Sequence, residues 1–240
     1  MLTRRPLLAL AALAGLAAPF LAAAADVVRG SGVASSQRRD VGAFTGVAVG
    51  GPFAVVLRPA TREAIEIVAD DNVLPLVETT VRGDTLRIEF ARNARVEPRT
   101  EIVVTVDVVR LDSVALGGSG TIAGKAIKSA KLEAAIGGSG SIALDDLDVG
   151  ELAVAIGGSG SFRASGRANR LDVDIGGSGG SDTERLAAAE VAVAVSGSGD
   201  VRVRADSKLS ASIAGSGDVR YTGAATPQVA IVGSGRVRKL

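Results

Sequence analysis

The 240-residue sequence has no cysteine, no histidine and no tryptophan, and only 2% of its residues are aromatic. Each absence removes a class of function. Without histidine or cysteine the chain lacks the commonest general base, the thiol nucleophile and most transition-metal ligand sets. One tyrosine and five phenylalanines do not supply the stacking platforms that read bases and sugars. Nor is there an excess of one charge: 27 basic side chains stand against 26 acidic ones, which argues against nucleic acid as a partner.

What the chain has instead is glycine, and a repeat. The corners Gly118-Ser119-Gly120, Gly138-Ser139-Gly140, Gly158-Ser159-Gly160, Gly177-Ser178-Gly179, Gly197-Ser198-Gly199, Gly215-Ser216-Gly217 and Gly233-Ser234-Gly235 follow one another at steps of 20, 20, 19, 20, 18 and 18 residues. A short alternating run precedes each central corner (Leu132, Ala134, Ile136; Leu152, Val154, Ile156; Leu171, Val173, Ile175). Period-two alternation means strands with one buried face. Two residues past the last glycine another apolar side chain recurs (Ile122, Ile142, Phe162, Val201, Val219, Val237), with Ser181 as the exception. Each repeat is thus strand, glycine corner, strand and a looser return segment. About twenty residues are too few for a βαβ unit, which takes about thirty, so successive copies stack in parallel as coils of a β-solenoid. One coil buries four or five apolar side chains worth roughly 1.5 to 3 kcal/mol each. Ordering its backbone costs roughly 1 to 2 kcal/mol per residue, so a lone coil cannot fold and an array can. Glycine permits positive φ and close stacking of identical bends, and the serine between can hydrogen-bond along the stack. No copy continues into GK[ST] or a helix, as a phosphate-binding loop would.

Residues 1–25 carry Arg4 and Arg5, an apolar run from Leu7 to Phe20 and small residues suited to cleavage after Ala25, the pattern of a secretory signal peptide. The run is short for a membrane span, so no transmembrane segment is expected after cleavage. Thr3-Arg4-Arg5-Pro6-Leu7-Leu8 also resembles a twin-arginine signal, and Sec and twin-arginine export both remain open. No cysteine follows for a lipoprotein anchor. The mature chain, 26–240, has 25 basic and 26 acidic residues, enough length for one sizeable core, and a stability that comes from stacking and not from disulfides.

Residues 26–40 are small and polar and read as a flexible leader. Over 41–110 strand-like runs (47–49, 53–57, 65–68, 86–90 and 102–106) are bounded by Gly50-Gly51-Pro52, Pro59 and Arg82-Gly83-Asp84. Asp71 to Val77 suits a short helical turn capped by Asp70 or Asp71, its length limited by Pro75. Solenoid ends need covering, so 41–110 is predicted to form irregular first coils plus a cap, with an independent N-terminal β-domain as the alternative.

Taken together, the signal peptide, the opening Phe44-Thr45-Gly46-Val47, the segment Arg82-Gly83-Asp84-Thr85-Leu86-Arg87-Ile88 and the serial GGSG corners resemble the bacterial family called putative auto-transporter adhesin, head GIN domain. The resemblance spans about residues 40–240. It implies a right-handed β-helical fold, a place in the cell envelope or outside the cell, and no catalytic residues. The 18-residue steps and Ser181 depart from the regular pattern.

The fold expected is therefore all-β: a right-handed parallel β-helix of about seven ~20-residue coils over 111–240, with an N-terminal β-rich cap. No catalytic, metal or cofactor-binding residue is assigned. Gly176-Gly177-Ser178-Gly179-Gly180 matches a nucleophile elbow, but no histidine is present to activate Ser178. The acids Asp145, Asp146 and Asp148, and Asp70-Asp71, are the material for a polysaccharide-degrading enzyme, and solvated loops are the simpler reading. Asp200 and Asp218 hold a calcium slot of β-rolls that Thr121, Ser141, Ser161 and Gly180 fail to continue. Three residues past each corner the outward side chain is Ala123, Ala143, Arg163, Asp182, Arg202, Arg220 and Arg238, so stacking aligns arginines toward the C-terminal end. Such a column suits an anionic ligand, although Asp200 and Asp218 stand close enough to neutralise it. The function expected is that of an exported, non-enzymatic envelope module, adhesive or binding, with a cell-surface glycan or envelope component as partner. A polysaccharide-degrading enzyme and a structural protein that self-associates through a solenoid edge are the alternatives.

Overall fold

The computed structural model describes residues 27–240; the signal-peptide reading of 1–25 lies outside the described residues. The chain is a β-solenoid of about six turns with stacked parallel strands. Its first part holds β1 (Val27–Arg29), β2 (Ala34–Arg39), β3 (Gly46–Gly50), β4 (Ala54–Pro59) and β5 (Ala64–Asp70). A 3-10 turn (Leu74–Leu76) leads to β6 (Val77–Arg82), β7 (Thr85–Phe90), β8 (Arg95–Glu97) and β9 (Val103–Val108). The repeat zone begins with β10 (Ser113–Gly118), β11 (Thr121–Lys125), β12 (Lys128–Gly138) and β13 (Ser141–Gly158). It continues through β14 (Ser161–Gly177), β15 (Gly180–Gly197), β16 (Asp200–Gly215), β17 (Asp218–Thr222), β18 (Thr226–Gly233) and β19 (Arg236–Lys239).

In the repeat zone every copy lies in register on the one before. Leu116, Ile136, Ile156, Ile175, Val195 and Ile213 form one inward column, and Ile122, Ile142, Phe162, Ser181, Val201 and Val219 another. Nearly all are buried, so the columns are the core. Within the second, the small Ser181 lies directly on the bulky Phe162. The two departures from Ile/Val offset each other in volume, which is what a close-packed interior requires. The Ser181 hydroxyl is buried and has no hydrogen-bond partner among the described residues.

Both glycines of each corner are required, for different reasons. Gly158 has φ +125°, and a Cβ there would stand 2.6 Å from the Gly138 carbonyl oxygen below it. At Gly160 a Cβ would meet Ile136 Cγ2 at 2.5 Å and the Gly140 oxygen at 2.8 Å. The backbone N–H of Ser159 donates to Gly138 O (2.9 Å) and that of Ser161 to Gly140 O (3.0 Å), tying corner to corner. The bonding along the stack therefore runs through backbone N–H groups of the corner and of the residue after it. The exposed corner hydroxyls make no hydrogen bond among the described residues.

The return segments are not loose. β13, β14 and β15 run as paired strand from one corner to the next, and bulges absorb the changes in repeat length. The 19-residue step is taken up between Leu144 and Leu147, and the first 18-residue step between Thr183 and Glu190. The corners stay in register because the deletions fall away from them.

At the N-terminal end the stacking order departs from chain order. The β3–β4 coil lies between β10–β11 on one side and β7 with β9 on the other, all parallel. The corner column extends into it, since Gly51 N donates to Gly117 O (3.0 Å) and Gly51 has φ +140°. Antiparallel strands then end the stack: β6 on β7, β5 on β9, and β2 on β5. Of the segment 26–40, expected to be a flexible leader, the described residues 27–40 hold two strands, with β2 on β5 and β1 on β8. Backbone pairing and the Arg39 guanidinium, which donates to Val77 O (2.6 Å) and Leu74 O (3.0 Å), hold a segment with little apolar content.

The expected helical turn is present only as the 3-10 turn, and neither Asp70 nor Asp71 caps it; Val73 is its N-cap residue. Asp70 is buried instead. Its carboxylate accepts from Gly32 N (2.8 Å), Arg99 N (2.8 Å), Thr100 N (3.1 Å) and Thr100 Oγ1 (2.8 Å). Burial pushes the carboxyl up, and the donors from Thr100, Arg99 and Gly32 outweigh it and hold the group below the usual carboxylate range. This one side chain ties the segment between β1 and β2 to the loop before β9.

Candidate functional site

Outward side chains stack as regularly as inward ones. The pairings place Thr105, Val56, Ala123, Ala143, Arg163, Asp182, Arg202, Arg220 and Arg238 in a single column along one face. The four arginines singled out in the sequence therefore share a face. They do not form an unbroken row, because Asp182 stands between Arg163 and Arg202. Arg202 NH1 lies 3.9 Å from Asp182 Oδ2, and Arg220 NH2 lies 3.5 Å from Asp218 Oδ2. Among the described residues Arg163 and Arg238 have no ion pair, and neither does Asp200. Neutralisation is partial, and Asp182 supplies part of it in place of Asp200. A shallow depression lies between Ser161, Arg163, Asp182, Asp200, Arg202 and Arg220. Residues 200–240 hold seven basic side chains against three acidic ones, so the C-terminal end of the rod is the basic end.

The same column is apolar at its other half. Val56 is 38% exposed, and with Leu57, Pro59, Ala123, Gly124 and Ala143 it lines a trough of about 300 Å³. Its two rim cations are paired, Arg58 Nε with Asp107 (2.9 Å) and Lys125 with Asp146 (3.3 Å), while the rim carboxylate Asp145 has no ion pair among the described residues and accepts from Ser165 Oγ (2.9 Å). Sequence reasoning missed this trough, because Val56 and Ala123 are far apart in the chain and each is unremarkable alone.

The acids considered for catalysis are engaged elsewhere. Asp145 accepts from Ser165 Oγ (2.9 Å), and Asp148 takes two bonds of 2.7 Å from Arg167. The Arg167 guanidinium holds the Asp148 carboxyl below its ordinary range, the opposite of what a general acid needs. Asp200 and Asp218 stack in register, but the next slot is Arg236 and the previous one Gly180, so no ladder of calcium ligands forms. On the neighbouring face Lys131, Glu151, Arg170, Glu190 and Lys208 alternate in sign along one column. Lys131–Glu151 (3.6 Å) and Arg170–Glu190 (3.7 Å) bridge adjacent coils.

A flat-faced stack of parallel coils with glycine corners, carrying its charge in columns along the rod, defines a β-solenoid of the adhesin-like class. The chain belongs to the family described as "Putative auto-transporter adhesin, head GIN domain", whose model matches residues 43–225. Among solved structures it is similar to a "putative adhesin" from Bacteroides fragilis (20% identity, 89% of this chain and 100% of that one, TM-score 0.83). It is also similar to a "Putative lipid binding protein" from Parabacteroides distasonis (22% identity, 90% and 100%, TM-score 0.78). A "putative adhesin" from the same species matches at 25% identity over 90% and 100%, with TM-score 0.71. No curated protein matches the sequence. These names suggest a non-enzymatic binding module. No helix among the described residues is long and apolar enough to cross a membrane.

Proposed function

We propose that this protein is an exported, non-enzymatic module of the cell envelope that binds acidic polymers or head groups on its arginine-bearing face. The observation that carries the reading is the in-register row Arg202, Arg220 and Arg238 at the basic end of the rod, with Arg163 on the same column beyond Asp182. Arg202, Arg220 and Arg238 repeat at one strand spacing, roughly 4.8 Å, which suits a ligand whose anionic groups also repeat. The amino-terminal Arg4-Arg5 and apolar run support export. Relatives named as adhesins and as a lipid-binding protein fit the same chemistry. A polysaccharide-degrading enzyme is disfavoured by the pairing of Asp148 with Arg167 and Asp145 with Ser165. The test is binding of the mature chain to an array of bacterial and host glycans at low and high salt. Salt-sensitive capture of acidic glycans is expected; indifference to glycan charge would refute the reading.

A second reading, self-association, rests on one observation. β18 and β19 each pair on one side only, which leaves Val229 and Ile231, in line with the buried Ala211 and Ile213, at 45 and 40% exposed. Unpaired strand edges of this kind accept further strands. The basic Arg236, Arg238 and Lys239 on β19 oppose a tail-to-tail pair. Sedimentation of the mature chain at rising concentration and salt separates the two readings.

A further inference from the structure

We infer that the column takes a single-chain anionic amphiphile, with its hydrocarbon chain over Val56, Ala123 and Ala143 and its phosphate or carboxylate head on Arg163. This inference rests on the arginine column being an anion site and adds the class of ligand. Two properties of one column meet at one point. From Val56 to Ala143 the outward side chains are apolar and line the trough with Leu57, Pro59 and Gly124. The next rung is Arg163, which has no ion pair among the described residues. The distance from Val56 to Arg163 is three rungs, roughly 14 Å at the spacing of paired strands.

The rim sharpens the chemistry. Arg58 and Lys125 flank the trough, but each is paired with its own carboxylate, Asp107 and Asp146. Neither cation competes with Arg163 for the head group. Asp145, the rim carboxylate without an ion pair among the described residues, adds a negative charge that favours placing the anionic head at the Arg163 end and the chain in the trough. Past Arg163 the column turns to Asp182, whose charge is shared with Arg202. A purely anionic polymer would leave the trough unused, and a purely apolar ligand would leave Arg163 unused. A molecule with a chain and an anionic end uses both.

The test is calorimetric titration of the mature chain with dodecyl phosphate in its monomeric range, against butyl phosphate, inorganic phosphate and dodecyltrimethylammonium. A methylene half-covered by an open trough strengthens binding about twofold, against about fourfold for full enclosure. Dodecyl phosphate is therefore expected to bind at least ~30-fold more tightly than butyl phosphate, with no binding of the cationic amphiphile. Ala143→Asp, an outward substitution, should abolish the advantage of the long chain, and Arg163→Ala should remove the preference for the anionic head. Unchanged melting temperatures confirm that both variants fold. Equal binding of dodecyl and butyl phosphate, or equal binding of the cationic amphiphile, overturns the inference. Polygalacturonate is titrated in parallel to separate the two proposals. If it binds through Arg202 and Arg220 while chain length has no effect, the anion site stands and the amphiphile assignment falls. If neither polygalacturonate nor dodecyl phosphate binds, both fall.

Discussion

Two adjacent glycines, Gly157 and Gly158, differ so sharply in environment that one substitution made at each tests the corner directly. A Cβ on Gly158 would sit 2.6 Å from Gly138 O, and the residue has φ +125°, a region open in practice to glycine alone. Holding alanine in such a region costs about 1 to 3 kcal/mol. Forcing the neighbouring coil aside adds overpacking of about 1 to 3 kcal/mol. Gly158→Ala is therefore expected to lose about 2 to 6 kcal/mol, a large share of the ~5 to 15 kcal/mol that stabilises a typical domain. At Gly157 the nearest atom to an added Cβ is Ile136 O at 3.9 Å, and φ is not positive. Gly157→Ala is expected to be neutral or to stabilise by about 0.4 to 1 kcal/mol, because it restricts the unfolded chain. The assay is urea denaturation followed by far-UV circular dichroism, with midpoints compared at equal m. Equal midpoints for the two variants would refute the corner as the element that sets the stack.

Two further outcomes follow from buried polar groups. Ser181→Ala removes a buried hydroxyl that has no partner among the described residues, and a gain of about 1 kcal/mol is expected in the same assay; a loss would show that the hydroxyl is satisfied. Asp70 has a folded-state pKa below its unfolded value. Its stabilising contribution is therefore fully present above the ordinary carboxylate pKa and is lost as pH falls through the depressed one. Hydrogen exchange at the amides of Gly32, Arg99 and Thr100, corrected for intrinsic rate, should accelerate in that acid window. Asp70→Asn should show the acceleration already at neutral pH, and protection that stays constant through the window in the natural chain would contradict the clamp.

Much of the repeat zone is legible in the sequence because each GGSG copy states two constraints at once, a positive φ and a close approach of backbones. Where one constraint is met by other residues the signal fades: Gly50-Gly51-Pro52 forms a corner on the same column, yet reads as punctuation because no serine and no second glycine follow. The strand Ala34-Ser35-Ser36-Gln37-Arg38-Arg39 reads as leader since a strand held by backbone pairing on β5 needs no apolar alternation. Asp70 reads as a turn acid beside Asp71 and Asn72; its donors come from residues 29 and 30 positions later and 38 earlier, which no local pattern reveals. The order of the first coils is hidden for the same reason, since strand alternation says which side is buried and not which strand lies next. The arginine column is legible because repeat spacing and register coincide there. Its continuation into Val56 is not, because β4 lies before the repeat begins.

The most direct test of the proposed binding face is titration of residues 26–240 with an acidic polysaccharide across a range of salt concentrations, natural sequence against Arg202→Ala/Arg220→Ala. Affinity should fall with added salt, and the double variant should bind more weakly with a shallower dependence on salt. A double variant with the same affinity and the same salt dependence as the natural chain would contradict the arginine column as the binding face.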